Sequence, residues 1–456
     1  MKKFFLLVLA MIAVLTVSQA QYKYDSSFPN SSKADSVLIG QGNGLHGVAV
    51  GLDGNVWTVN YNYYVPGDSL KEQGTGITKA TLPLRIFKAD GTPASFSPLM
   101  VLKGGAVADT LFKGGILGGA QGGTGRGLTT TADGNILFVW FDNVYLLDYR
   151  TGAVLLKTVL KATNGSTAAA SDVAGNFYTA SVFPGQEPLQ MWNKAGVKQG
   201  NVTDTTGGFS RSITVSRAGD KVYYAGYTMH CVVRYTGDPL LGFTADTVLK
   251  GFDCESITRS GKTDLLWASA GSGNDKPNQY PNKVTYYSSH TWYLWDPATN
   301  AIKDSIKWVG LNNFTNADSV GLRPRGVTTT TNGDTVYVIM FGSKAGAYTI
   351  QRFIKSGNSV SRNNDVVATS FELGQNYPNP FNPSTTIKFS LPVASNISLK
   401  VFDVLGKEVA TVAEGRYEAG AFTATFDAKN LNSGVYFYTL RTSTGFVQSS
   451  KMLLIK

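Results

Sequence analysis

Six residues with usable side chains occupy one equivalent position in a recurring segment of the chain: His46, Arg126, Thr167, Arg211, Glu255 and Arg325. Three guanidiniums around one opening would make a basic funnel, because the Arg fork matches carboxylate, sulfate and phosphate oxygens. Such a ring would take an anionic small molecule or an acidic glycan, with Glu255 orienting one Arg or accepting a ligand hydroxyl. The same residues satisfy a second arrangement, in which Arg and Glu pair and close the opening.

Other chemistry finds fewer residues. A Ca or Zn centre needs carboxylate, Asn or His ligands that converge. Only His46 and Glu255 stand at the shared position. Asp142 and Asn143 follow one strand without counterparts in the other repeats, His230 opens a strand, and His290 flanks a long loop. No order of Ser, His and Asp points to a triad. The glycine-rich stretch 114–127 lacks a Lys-Ser or Lys-Thr ending and reads as a connection, not a phosphate loop. Cys231 and Cys254 are the only cysteines. An oxidising compartment permits a disulfide between them, and two free buried thiols is the other reading. No catalytic residue and no cofactor is therefore predicted. A hydrolase or lyase using Ca or Zn in a channel is the alternative, and a structural component of a surface layer or filament is a third reading. Tyr61, Tyr63, Tyr64, Tyr280, Tyr286, Tyr287 and Trp292 lie in or beside two polar loops. Such rings stack on sugars, anchor surface proteins, or pack a loop onto its own sheet.

The elements that would position the six residues are repeats. HGVAVGLDGNVWTVNY from His46 is echoed by RGLTTTADGNILFVWF from Arg126 and TAAASDVAGNFYTASV from Thr167. RSITVSRAGDKVYYAG from Arg211 and RGVTTTTNGDTVYVIM from Arg325 follow the same scheme, and ESITRSGKTDLLWASA from Glu255 has a shorter turn. Each is a strand, a turn rich in Gly, Asp and Asn, then an aromatic and β-branched strand, which is hairpin chemistry. A third run follows (VYLLDYRTG, CVVRYTGD, IQRFIKSG), then a fourth carrying its own phrase at Ala108–Leu111, Ala245–Val248 and Ala317–Val320. Four strands in about forty residues is a β-propeller blade. The fourth-strand phrase also occurs at Ala34–Val37, before the first repeat, while the last repeat stops after three strands. The N-terminal strand is thus expected to complete the last blade, removing two open edges. Six blades are predicted, with seven as the alternative, because the wide gaps after His46 and Glu255 are read as loops at 62–80 and 272–290. The hairpin phrase resembles the repeats of NHL and SMP-30-like propellers over residues 34–357, a fold that carries both enzymes and binders.

Composition agrees with an exported all-β protein. The 456 residues include 50 Gly and 22 Tyr, with 43% hydrophobic and only 16% charged residues, which excludes wholesale disorder. The net charge of +10 is spread without basic runs interleaved with aromatics, so no nucleic-acid groove is expected. Residues 1–20 have a basic start, a short apolar stretch and small residues at Ser18 and Ala20, the pattern of a cleavable signal peptide. The propeller is assigned to 21–357 and a polar linker to 358–370.

Residues 371–456 read as short alternating strands broken by Pro378, Pro380 and Pro383, which forbid helix and central strand. A small immunoglobulin-like sandwich fits that pattern. Asn376 to Pro383 (NYPNPFNP), Asp403 to Val409 (DVLGKEV, with Gly406), Ser433-Gly434-Val435-Tyr436 and the ending Lys451 to Lys456 (KMLLIK) closely resemble the type A C-terminal sorting domain of type IX secretion. The resemblance implies that Pro378, Pro380, Asp403, Gly406, Gly434, Tyr436 and Lys451 belong to the sorting signal. It implies a type IX translocon and a surface sortase as partners. The chain would then travel through the periplasm of a Gram-negative cell to be secreted or attached to the outer surface.

Overall fold

A computed structural model describes residues 22–28, 45–61, 68–71, 76–112, 125–160, 165–270, 290–309, 323–341, 350–355, 358–363, 368–417 and 419–456. They are β throughout, apart from a 3-10 turn at Tyr227–Met229. No helix among them is long and apolar enough to cross a membrane.

Among the described residues, six sheets of three or four strands follow one another between residues 22 and 355, beside two small hairpins. The first has three strands, Leu45–Val50, Val56–Asn60 and Arg85–Phe87. The second runs Gly125–Thr130, Ile136–Trp140, Asn143–Leu147 and Val154–Val159. The third runs Ala170–Ser171, Phe177–Thr179, Leu189–Trp192 and Lys198–Thr203. The fourth comprises Ser210–Val215, Lys221–Gly226, Cys231–Asp238 and Gly242–Val248. The fifth comprises Ile257–Arg259, Leu266–Ala270, Thr291–Asp296 and Ala301–Lys307. Arg323–Thr329, Thr335–Phe341 and Ile350–Lys355 make the sixth, completed by Tyr22–Phe28. Every pairing is antiparallel, in the up-and-down order of the chain.

The first strand of each sheet touches the first strand of the next, and that of the sixth touches that of the first. Apolar side chains fill each junction. Trp57 and Val59 meet Leu128, Phe138 and Trp140 between the first two sheets, and Tyr337, Ile339 and Ile350 meet Val48 and Val50 between the last and the first. Because both faces of a sheet are covered, a second strand such as ILFVW is buried at every position and loses the alternation of a one-sided sheet. The hairpins turn on Gly54, Gly134, Gly175, Gly219 and Gly333, all at positive φ, which is why the repeated phrase keeps Gly there.

Several expectations change on contact with this architecture. The strand that pairs with Ile350–Lys355 is Tyr22–Phe28, upstream of the Ala34–Val37 phrase, which lies outside the described residues. Ala245–Val248 falls in a fourth strand as expected. Ala108–Leu111 instead begins in a hairpin, Val101–Gly104 with Val107–Thr110, that forms its own two-stranded sheet. Its Asp109 carboxylate accepts bonds from Tyr145 Oη and Lys157 Nζ of the second sheet, so the phrase is kept for a bridge between neighbours. The loop expected at 62–80 includes a second small hairpin, Ser69–Lys71 with Thr78–Ala80. Trp292 is wholly buried in the fifth sheet and offers no binding surface. Residues 1–20, Ala317–Val320, Tyr63, Tyr64, Tyr280, Tyr286 and Tyr287 lie outside the described residues.

The C-terminal sandwich has two four-stranded sheets. One holds Asn358–Asn363, Gly420–Asp427, Ser384–Leu391 and Glu372–Leu373. The other holds Glu408–Tyr417, Ser395–Phe402, Gly434–Thr442 and Val447–Leu454. Its core includes Ile387, Phe389, Leu399, Val401, Tyr438 and Met452. Half of the expected linker is therefore an edge strand: Asn358–Asn363 pairs along its length with Gly420–Asp427. Polar composition hid it, since NSVSRN lacks an apolar pattern.

Candidate functional site

The shared position is built by a repeated irregularity. Register shifts fall between Leu45 and Gly47, between Ser210 and Ile213, and between Pro324 and Gly326, placing His46, Arg211 and Arg325 in β-bulges. A fourth shift in the second sheet, opposite Gly125 and Gly127, brackets Arg126, whose side chain lies outside the described residues. A bulge breaks the ladder and re-aims one side chain. The next position is small in each repeat, because the inner strands crowd together: a Cβ on Gly47 would meet the Leu128 backbone nitrogen at 2.8 Å.

Four of the six residues converge. The Glu255 carboxylate is fully buried; Arg325 Nη1 binds its Oε2, Arg323 Nη1 donates to its Oε1 at 3.3 Å, and Arg211 Nε stands 4.0 Å from Oε2. Arg325 Nη2 binds His46 Nε2. A guanidinium only donates, so Nε2 is the acceptor, which puts the proton of the neutral imidazole on Nδ1. His46 stacks on Tyr61 with centroids 5.2 Å apart and meets Phe341 edge-on. Arg323 and Arg325 lie over the Phe341 ring at 5.9 and 5.1 Å, and Arg211 over Tyr227 at 5.4 Å. The fifth, Thr167, is buried with its Oγ1 unbonded and is not part of this cluster.

The opening beneath the cluster holds only about 30 Å³, lined by His46, Arg211, Ser212, Ser256 and Arg325 among others. Of the two arrangements open from sequence, the described residues display the pairing of Arg and Glu. Arg325 and Glu255 pair and plug the axis, while Arg211 keeps a looser hold, with Nη2 3.5 Å from Tyr227 Oη and Nε buried without a hydrogen bond. Arg323 escaped the sequence reading because it sits two residues ahead of the aligned position. The R-P-R spelling before Gly326 was the available signal, since alternate strand residues share a face.

The remaining candidates disperse. His230 Nδ1 binds the buried Asp253, and Asn143 Nδ2 donates to Asp142 at 2.6 Å. Among the described residues no group of three or more His, Cys, Asp or Glu is placed to hold a metal ion. Cys231 and Cys254 are free thiols, not a disulfide. Each packs into a different apolar cluster, Cys231 between the third and fourth sheets and Cys254 between the fourth and fifth. Burial pushes both thiols up, Cys254 to about 12.

The sorting residues form a second constellation. The Tyr377–Pro378 and Asn379–Pro380 bonds are cis. Around them the chain is stitched to the last strand: Leu453 N donates to Asn379 Oδ1 at 2.9 Å, Phe381 N to Leu453 O at 3.0 Å, and Gln375 Nε2 to Lys451 O at 2.8 Å. Buried Asn376 donates to Pro378 O and Thr385 Oγ1. Asp403 accepts from Leu405 N and Lys407 N around Gly406, whose φ is +79. Gly434 opens a strand in which Tyr436 Oη donates to Asn432 O at 2.8 Å.

Comparison with known proteins adds the following. Residues 375–456 match the family described as secretion system C-terminal sorting domain. No curated protein matches the chain. Solved structures similar to it include a protein of unknown function from Bacteroides caccae (13% identity, 56% of this chain and 78% of that one, TM-score 0.36). Others are the calcium-binding protein regucalcin from Agrobacterium tumefaciens (12%, 69% and 92%, TM-score 0.41) and luciferin-regenerating enzyme (11%, 70% and 94%, TM-score 0.37). The terminal sandwich is a secretion system sorting domain, and it marks this β-propeller-like chain for export by type IX secretion to the cell surface or the medium.

Proposed function

We propose that residues 22–355 form a closed six-bladed propeller, sealed by Tyr22–Phe28 as the outer strand of the last blade, and that the exported protein is a non-catalytic binding module. A leader at 1–20 directs it to the periplasm, and the immunoglobulin-like tag hands it to the type IX translocon and a surface sortase. Its ligand is an anionic small molecule or acidic glycan held at the mouth formed by His46, Arg211, Glu255, Arg323 and Arg325. The observation that carries this reading is the convergence of three guanidiniums on the single carboxylate of Glu255, which leaves them in excess, with Arg211 the least committed. Guanidinium forks in a half-buried, aromatic-walled site suit carboxylate and sulfate groups.

The test is titration of the full chain with polygalacturonate and with a sulfated glycan. Arg211→Gln and Arg323→Gln together leave the Arg325–Glu255 pair in place and should weaken binding at least about ten-fold. Binding unchanged by the double variant removes the reading. Metal analysis and size distribution of the same preparation decide the competing readings: stoichiometric Ca or Zn in favour of a hydrolase or lyase, self-association in favour of a surface layer.

A further inference from the structure

The opposite end of the same inner strands holds a larger cavity, about 270 Å³. Its wall is made by strand ends from five sheets, including Thr129, Ser171, Thr214, Thr258 and Thr328. Three cations join them, Arg217, Arg259 and Lys262, and no carboxylate lines it. Hydroxyls and cations without acids select for an anion that also carries hydroxyl groups.

Arg259 is the deepest of the three. Its Nη1 donates to Val215 O at 3.0 Å and to Ser171 O at 3.3 Å, tying the fifth sheet to the fourth and third. That single nitrogen carries both bonds of the guanidinium. Nε is buried with no hydrogen-bond partner, and so is the Oγ of Ser171. Burial pulls the Arg259 pKa down, opposed by the charges of Asp264 and Asp172 and aided by Arg217. Both of these carboxylates accept hydrogen bonds elsewhere. Asp172 accepts from Ala174 N, Asn176 N and Asn176 Nδ2 within its own turn, and Asp264 accepts from Arg217 N. A buried cation with an unpaired donor costs stability unless something satisfies it.

We infer that this cavity is a second binding site, separate from the mouth, for a small hydroxylated carboxylate such as a uronic or hydroxy acid. The uncommitted Nε–Nη2 edge of Arg259 is the side-on fork that fits a carboxylate with two parallel bonds. The threonine hydroxyls both donate and accept, as sugar hydroxyls do. Lys262 and Arg217 sit nearer solvent and draw the anion in. The volume lies under the range of about 300–1,000 Å³ for drug-sized pockets, which limits the ligand to one ring or a short chain.

The experiment is calorimetric titration of the full chain with sodium galacturonate, with galactose, inorganic phosphate and sulfate as separate arms. Saturable binding of galacturonate that persists when the mouth carries Arg211→Gln and Arg323→Gln, none of galactose, and weaker binding of phosphate and sulfate is the expected result. Arg259→Gln should weaken galacturonate at least about ten-fold, and Arg259→Lys should not restore it, because an ammonium lacks the fork. Thr214→Val and Lys262→Gln should each weaken it several-fold, and they serve if Arg259→Gln fails to fold. In the mouth-altered background the binding that Arg259→Gln weakens belongs to this cavity, which separates this site from the other. Absence of galacturonate binding, binding indifferent to Arg259→Gln, Thr214→Val and Lys262→Gln, or a preference for phosphate overturns the inference.

Discussion

The side-chain carbonyl of Asn379 accepts the backbone amide of Leu453 at 2.9 Å, so the first conspicuous motif of the sorting domain is hydrogen-bonded to the last. The proline-rich entry and the KMLLIK ending are joined by this bond and those of Gln375 and Phe381, so cutting the final residues also removes contacts that hold the entry loop.

Asn376→Ala removes two donated bonds from a buried amide and leaves Pro378 O and Thr385 Oγ1 unserved by it. The expected loss is about 1–3 kcal/mol in the unfolding of the sorting domain. Urea melts followed by the Tyr signal, and the fraction of protein reaching the medium, check it. Export equal to wild type in a measurably destabilised variant would show that the translocon does not require this packing.

Glu255→Gln leaves Arg211, Arg323 and Arg325 crowded without their shared countercharge. The loss should be about 3–5 kcal/mol, the scale for breaking a buried ion pair, and added sulfate should recover part of it. A midpoint shift within error of wild type in both buffers would contradict the geometry.

Alkaline pH should erode stability through the buried thiol and phenols. Cys254 is raised from 9.0 to about 12, and Tyr223 and Tyr224 from 10.0 to about 12, mainly by desolvation. For a folded pKa above the unfolded one, the contribution is complete below the unfolded value. It is lost as pH rises towards the folded value, because the unfolded chain ionises first. Stability should fall from about pH 9 and keep falling to about 12. Cys254 should resist thiol reagents at pH 8 until denaturant is added. Rapid labelling of the native chain would show that the thiol is not enclosed.

Removing Tyr22–Phe28 uncovers the edge of Ile350–Lys355 and deletes the Tyr22 Oη bond to Gly333 O at 2.6 Å. An open strand edge invites pairing with another chain. The shortened protein should aggregate on concentration, whereas Tyr22→Phe should stay monomeric and lose only about 0.5–1.5 kcal/mol. Light scattering and thermal melts distinguish the two.

The sequence carried the hairpins well, because D-G-N and N-G-D turns and aromatic second strands are local signals. The four-strand repeat was legible in five of the six larger sheets, and the equivalent places of His46, Arg211, Glu255 and Arg325 could be read from the same alignment. What failed depended on distance. Tyr22–Phe28 finds its partner more than three hundred residues away, and nothing in YKYDSSF names that partner. Asn358–Asn363 is polar in sequence, and its partner Gly420–Asp427 lies about sixty residues on, so composition assigned it to a linker. Arg323 and the basic cavity around Arg259 arise from bulges and strand ends, where a shift of one residue decides which side chains meet.

The strand Ile350–Lys355 is flanked on both sides, by Thr335–Phe341 and by Tyr22–Phe28. The chain thus leaves its sixth sheet from an interior position. A protease cutting shortly after Lys355 would strip away the address label without baring any sheet margin of the cargo. The part left at its destination keeps the hydrogen-bonded seams it travelled with.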